Sequence, residues 1–149
     1  MKQTPVKDQI VMVYDGKPAS INAGCKPAFQ RRIGSLYDRL YKGCLKQEKL
    51  YAAVYYFYRE ERNMDADNIS KPLLDALRTK AFDDDFQIKV RCAASINLEK
   101  EAVELDDSIP EEVFYELSEG IYNHDHTLYI ELGELKSFDK LFQQTELWR

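Results

Sequence analysis

The amino-acid sequence predicts an α/β (α+β) fold in which helices pack on a small mixed β-sheet. Short β-branched runs alternate with longer runs whose apolar residues recur every three or four positions, giving the order strand, helix, strand, helix, strand, insertion, strand. The 149 residues are 44% apolar and include only 6 Gly and 5 Pro, a composition typical of a packed globular chain. We therefore expect one domain over residues 1–149.

The first half of the chain is predicted to contain two strands and one long helix. Residues 9–14 form a β-branched run that stops at Asp15 and Gly16, and residues 15–27 hold too many Gly and Pro for a regular element. From Phe29, one apolar helical face extends for about 18 residues through Tyr41, Cys44 and Leu45. Residues 50–58 are apolar on both faces, which predicts a central strand.

The second half is predicted to add two helices and two strands. A helix over residues 68–80 would have Asp67 as its N-cap and Pro72 near its first turn. Residues 88–97 and 127–132 alternate as half-buried strands do, and residues 110–119 are predicted to form a short helix. The chain closes on a possible amphipathic segment: Leu135, Phe138, Leu141 and Phe142.

Composition also excludes several classes of protein. No apolar run approaches the roughly 20 residues of a membrane span, and the first residues lack the apolar stretch of a signal peptide, so we expect a soluble, cytoplasmic protein. The three cysteines (Cys25, Cys44 and Cys92) are widely spaced, which favours reduced thiols over disulfides or a thiolate zinc site.

The net charge of −5 is unevenly distributed along the chain. Residues 1–97 carry 17 basic and 12 acidic side chains, whereas residues 98–149 carry 4 and 14. The first part is therefore compatible with a polyanionic partner despite the acidic total.

A cluster of carboxylates in residues 65–85 is the most informative feature of the sequence. Asp65 and Asp67 lie one residue apart at the start of a predicted helix, and Asp83, Asp84 and Asp85 precede the next strand. We expect these groups to share a divalent cation, and hard oxygen ligands without imidazole or thiolate suit Mg²⁺ or Mn²⁺. Lys71 follows Asp67 by four residues, which is about one helical turn. Its positively charged side chain would therefore face a phosphate bound beside the acids.

Each acid also has a purely structural interpretation. Asp67 alone would be a helix cap, Asp65 a turn residue, and residues 83–85 a solvated loop. An EF-hand loop is excluded because Ser70 and Ala76 occupy the positions of its glycine and glutamate. Asp75 is expected to form an ion pair with Lys71. His124 and His126 are interpreted as surface residues in preference to a transition-metal pair.

The motif Asp-x-Asp-Asn-x-x-Lys, followed by Asp-Ala-Leu and then by Asp-Asp-x-Gln-Ile, resembles the signature of the RusA family of Holliday junction resolvases. These are dimeric, Mg²⁺-dependent endonucleases of bacteria and their phages. The resemblance is specific at residues 65–88, and it extends as a similar layout over most of residues 9–97 and to residues 127–132. This layout includes a loop at residues 18–22 that contains Pro and Asn.

The resemblance implies roles for individual residues. It makes Asp65, Asp67 and Asp85 the metal ligands and Lys71 the essential lysine, with Asp84 as a further candidate ligand. The third consecutive acid, Asp83, leaves the choice among the three open. Candidate contacts to the DNA backbone are Arg31, Arg32, Lys89 and Arg91, together with Asn22 in the loop.

These features together predict an Mg²⁺-dependent crossover junction endodeoxyribonuclease, with Mn²⁺ as a possible substitute, that acts on four-way DNA as a homodimer. Two alternatives remain open. The first is a metal-dependent nuclease for flaps, forks or other branched DNA. The second is a module that binds branched DNA or a protein without cleavage.

Residues 98–126 are expected to be an acidic insertion that carries ten acids and one lysine. An acidic segment near DNA would repel it, so the segment should lie away from the binding face or regulate access to it. It would either pack at the edge of the sheet or, as we slightly favour, form part of the dimer interface through its apolar residues: Val113, Phe114, Leu117, Ile121 and Tyr122.

Overall fold

The computed structural model describes residues 2–20, 23–60 and 65–136, which form three helices and two β-sheets. The strands are β1 (Thr4–Pro5), β2 (Gln9–Asp15), β3 (Tyr41–Lys42), β4 (Leu50–Tyr58), β5 (Ile88–Asn97) and β6 (His126–Glu134). The helices are α1 (Lys26–Leu40), α2 (Ala66–Leu77) and α3 (Glu111–Asn123), and a 3₁₀ turn at Asp85–Gln87 precedes β5. The predicted α+β fold is confirmed.

The main sheet has four strands in the order β2-β6-β4-β5. Strand β6 is antiparallel to both β2 and β4, whereas β4 and β5 are parallel, so the sheet is mixed. Tyr58 pairs with both His126 and Asn97, and Asp15 pairs with Thr127. We refer to this end of the strands as the upper edge of the sheet.

The larger core lies between one face of this sheet and helices α1 and α2. Its sheet side includes Met12, Val54 and Ile130, which are at most 2% exposed, and its helix side includes the fully buried Ile33 and Leu73. Because β4 and β5 are parallel, α2 must run back along the sheet from the upper edge to the opposite, lower edge. The parallel pairing thus fixes the direction of α2.

Helix α1 is shorter than its sequence pattern predicts. It ends at Leu40, because Tyr41 takes an extended conformation and forms strand β3 with Lys42, and Gly43 follows with a φ of 95°. Leu45 is still fully buried, but it reaches the core from a loop and donates its backbone N–H to the Ala81 carbonyl over 2.7 Å. Apolar residues continue at helical spacing past Leu40 because side chains of the following loop, such as Leu45, are buried in the same core as those of α1.

Helix α3 covers the second face of the sheet. Val113, Leu117 and Ile121 are at most 5% exposed and pack against Val13 and Tyr129, while Phe114 and Tyr122 remain exposed. The expected dimer interface is therefore wrong for three of its five residues, because a face of the same chain's sheet covers Val113, Leu117 and Ile121. The alternative, packing at the edge of the sheet, is met in part, because α3 lies on this face against the edge strand β2 and its neighbour β6. The helix also extends to Asn123, four residues beyond its predicted end.

The remaining predictions for secondary structure agree with the structure to within a few residues. Strand β4 is an inner strand, as predicted, and β5 matches residues 88–97. The predicted C-terminal amphipathic segment, apart from Leu135, lies outside the described residues. Within the described ranges, no helix combines the length and apolar character needed to cross a bilayer.

The packing of α3 can be tested by truncating its central side chain. Leu117→Ala should lower the free energy of unfolding by about 2–5 kcal/mol, because it leaves a cavity between the helix and the sheet. The matched variant Tyr115→Ala, on the exposed face of the same helix, should change it by no more than about 0.5 kcal/mol. Urea unfolding of both variants measures the difference, and similar losses would contradict the packing described here.

Candidate active site

Asp65 forms the N-cap of α2 at the upper edge. Its Oδ1 accepts the Asp67 backbone N–H at 3.0 Å, and its Oδ2 lies 3.5 Å from Asn68 Nδ2. The prediction from the sequence took Asp67 as the N-cap, so the predicted helix started two residues after the observed one. Pro72 is in the second turn, where it removes one helical hydrogen bond.

Asp67 and Lys71 are exposed side chains on the first two turns of α2. Asp67 has no capping role, and within the described residues neither its carboxylate nor the Lys71 ammonium takes part in a salt bridge. The expected ion pair between Lys71 and Asp75 is absent, so Lys71 is available to an external anion.

The second group of acids precedes β5. Asp84 caps the 3₁₀ turn by accepting the Phe86 backbone N–H at 3.1 Å, and Asp85 lies 3.5 Å from Arg78. Gln87 fixes this turn: its Oε1 accepts the N–H groups of Asp83 and Asp84, and its Nε2 donates to backbone carbonyls of residues 45 and 47. All three aspartates are exposed on a well-anchored turn.

The two groups of carboxylates lie at opposite ends of α2. Asp65 caps its first turn, whereas Asp85 pairs with Arg78, the residue that ends the helix. A helix of 12 residues is about 18 Å long, far beyond the reach of one cation's ligands. Accordingly, no three His, Cys, Asp or Glu side chains in the described residues are grouped to hold a metal ion. The expectation that Asp65, Asp67 and the acids before β5 share one ion within a single chain is not met.

The chemistry of the two acids on α2 nevertheless suits a hard divalent cation. Both carboxylates are exposed at the helix N-terminus. Among the described residues, Asp65 Oδ2 makes only one long contact, so lone pairs remain for a ligand. Oxygen donors of this kind fit Mg²⁺ or Mn²⁺. One chain supplies these two donors at the upper edge, and further donors would come from water, phosphate or another chain.

A second polar cluster at the upper edge was not found by sequence reasoning. Glu60 Oε1 lies 3.3 Å from Lys17 Nζ and 3.2 Å from His126 Nε2, and His126 Nδ1 lies 2.6 Å from the Tyr56 hydroxyl. The pKa of Tyr56 is raised mainly by burial and, to a smaller extent, by the negative charge of Glu60. The hydroxyl therefore stays protonated and can donate to Nδ1. Nε2 is then free to donate to Glu60, and these contacts hold the loop at Lys17 against the end of β4.

Both histidines are partly buried beside acidic side chains, so the expectation of surface residues is met only in part. The His126 side chain is 19% exposed, and His124 lies 3.2 Å from Asp15 through its Nδ1. Arg59 donates to the backbone carbonyls of His124 and Ile121, which ties the end of β4 to the link between α3 and β6. These partners are distant in sequence, so no local pattern could have predicted them.

The predicted DNA contacts fall on two surfaces. Arg31 and Arg32 are exposed on α1, and Lys89 and Arg91 are exposed on β5, where Lys89 lies 4.0 Å from the ring centroid of the exposed Phe86. Asn22 lies outside the described residues. The structure thus separates the basic side chains of α1 from those of β5.

The chain matches a known protein family over part of its length. The family model described as endodeoxyribonuclease RusA covers residues 28–106, more than half of the chain. This region contains most of α1 and all of β4, α2 and β5, together with both groups of acids. A comparison with curated proteins gives no match.

The capping role of Asp65 can be separated from any role in catalysis. Asp65→Ala should lower the free energy of unfolding by about 0.5–2 kcal/mol, because it removes the acceptor for the Asp67 N–H, whereas Asp65→Asn should keep stability nearly unchanged, because Asn caps equally well. Urea unfolding measures both variants. Equal stability of the Ala and Asn variants would contradict the capping role.

Proposed function

Since the chain belongs to the RusA family of endodeoxyribonucleases, we propose that it is a divalent-metal-dependent endonuclease that resolves four-way (Holliday) DNA junctions. One observation carries this proposal: the matched region includes the acid pair on α2, the acids before β5 and, one turn beyond the pair, a lysine with no acidic partner among the described residues. A protein that only binds DNA gains nothing from exposed carboxylates beside its phosphates, because carboxylates repel them.

We assign Asp65 and Asp67 as the residues that hold Mg²⁺ or Mn²⁺ at the upper edge. When bound there, the ion would relieve negative charge at the scissile phosphate and lower the pKa of the attacking water. The N-cap supports this assignment in two ways. It fixes the orientation of the Asp65 carboxylate, and it orders the first helical turn, which carries Asp67. The protein therefore contributes ligands whose positions are set before DNA binds.

Lys71 is proposed to stabilise negative charge on the phosphate. It is exposed, has no acidic partner among the described residues and lies one turn from Asp67. Its ammonium can approach a phosphate held beside the acid pair, and the N-terminus of α2 adds partial positive charge at the same place. The interaction would strengthen as charge develops during displacement of the leaving oxygen.

We propose that the active unit is a homodimer. A four-way junction offers two equivalent strands related by a near two-fold axis, which a symmetric dimer matches. The separation of the carboxylates supports the same arrangement, because Asp84 and Asp85 cannot reach the acid pair of their own chain but could approach that of a second copy. In this proposal, each metal site combines the acid pair of one subunit with a carboxylate before β5 of the other.

The proposed activity predicts a specific pattern in a cleavage assay. With Mg²⁺, the protein should cut four-way junctions in preference to three-way, flap and linear DNA. Asp67→Asn should abolish cleavage while preserving junction binding, because it removes ligand charge without removing a basic contact. Lys71→Ala should lower the single-turnover rate at saturating protein by about 10²–10³ with little change in affinity.

Asp75→Asn provides a matched control, since it removes an exposed carboxylate from the third turn of the same helix. It should cleave at the normal rate. Full activity of Asp67→Asn would remove that residue from the ligand set. Preferential cutting of flaps or forks would show that the proposed substrate is wrong. Tight binding of junctions with no cleavage in Mg²⁺ or Mn²⁺ would show that the protein is a DNA-binding module and not a nuclease.

A further inference from the structure

A groove of about 1200 Å³ runs between α1 and the end of β2. Four of its lining side chains are cationic: Lys17, Arg31, Arg32 and Arg39. Its acidic lining residues are Asp15, which lies against His124, and Glu116 on α3. The groove therefore carries an excess of positive charge in a protein whose net charge is −5.

In the part of the chain that the structure describes, the three arginines of the groove have no acidic partner. Within the described residues, none of them lies within salt-bridge distance of a carboxylate, and all three are exposed. Lys17, by contrast, is paired with Glu60. An unpaired guanidinium gains most from an external oxyanion, which it can bind through two parallel hydrogen bonds.

The spacing of these arginines favours an extended anion over a single phosphate. Arg32 and Arg39 are seven residues apart, two turns along one face of α1, which corresponds to about 10 Å. A DNA strand carries a negative charge at every nucleotide, so successive phosphates can meet different arginines of this row. A site for a small phosphate ligand would instead direct its donors at one point.

The upper end of the groove lies at the same edge of the sheet as the candidate active site. Gln30 donates to the Pro72 carbonyl at 3.0 Å, and Asp38 pairs with Lys80 at 2.7 Å, so α1 and α2 run side by side in the same direction. Helix α1 therefore also starts near the upper edge, where Lys17 lies and where Asp65 caps α2. A backbone that follows the groove would approach the acid pair.

We propose that this groove binds the phosphate backbone of a duplex DNA arm, with Arg31, Arg32 and Arg39 as its contacts and with Glu116 on its α3 wall weakening the interaction. The inference rests on the proposed function only for the identity of the polyanion. It adds Arg39 to the predicted contacts, and it places one acidic residue of the segment 98–126 against the DNA path.

The test measures binding without cleavage. Fluorescence anisotropy in EDTA would compare the full chain with the triple variant Arg31→Ala/Arg32→Ala/Arg39→Ala, using a labelled linear duplex and a labelled four-way junction. The triple variant should weaken binding of both DNAs by roughly 10- to 100-fold. Between about 50 and 200 mM salt, its slope of log affinity against log salt should be shallower by about 2–3, because three phosphate contacts are lost.

A charge-matched control is Lys42→Ala/Lys46→Ala/Lys100→Ala, which removes three exposed cations outside the groove. It should change affinity by less than about threefold, since scattered charges are screened by salt. Glu116→Gln should tighten binding by a few-fold at low salt. Thermal unfolding of each variant would verify that it is folded.

Equal weakening by both triple variants would show a bulk charge effect and overturn the proposal, as would unchanged duplex affinity of the arginine variant. These outcomes are independent of catalysis. Loss of binding in a protein that cuts no DNA would refute the nuclease and retain the groove, whereas normal cleavage with unchanged binding would refute the groove alone.

Discussion

The parallel pairing of β4 with β5 is the constraint on which the rest of the structure depends. From Tyr51 opposite Val90 to Tyr58 opposite Asn97, the two strands run in the same direction, so the chain between them must return along the sheet. Helix α2 makes this return and is held in the larger core by buried residues such as Leu73 and Leu77. Its N-terminus is thereby placed at the upper edge and its C-terminus beside the start of β5.

This constraint explains why the arrangement of the candidate site residues could not be predicted from the sequence. The spacing of Asp65, Asp67 and Lys71 is local, so the start of a helix was enough to place them side by side. Asp85 is only 18 residues beyond Asp67, and the sequence alone suggested that the groups meet. A helix that returns between parallel strands instead holds its two ends apart, so this carboxylate lies near the opposite edge of the sheet.

Most of the fold followed from hydrophobic periodicity, because the three helices and the longer strands bury apolar faces in one of the two cores. The failures occurred where tertiary contacts override the local pattern. Helix α1 stops at Leu40 because Tyr41 is extended, and Gly43, which follows with a positive φ, was the one available signal. Contacts such as that between Glu60 and His126 join residues far apart in the chain, so only the sheet topology could bring them together.

The measurement that most directly tests this account is complementation between two inactive variants. Mixed dimers of Asp67→Asn and Asp85→Asn chains, carrying different tags and purified through both, would be assayed on a four-way junction with Mg²⁺. If each site combines the acid pair of one subunit with Asp85 of the other, every mixed dimer keeps one intact site and should nick the junction at about half the wild-type rate, although each variant alone is inactive. Inactive mixed dimers would contradict the shared site, as would an Asp85→Asn homodimer that cleaves normally.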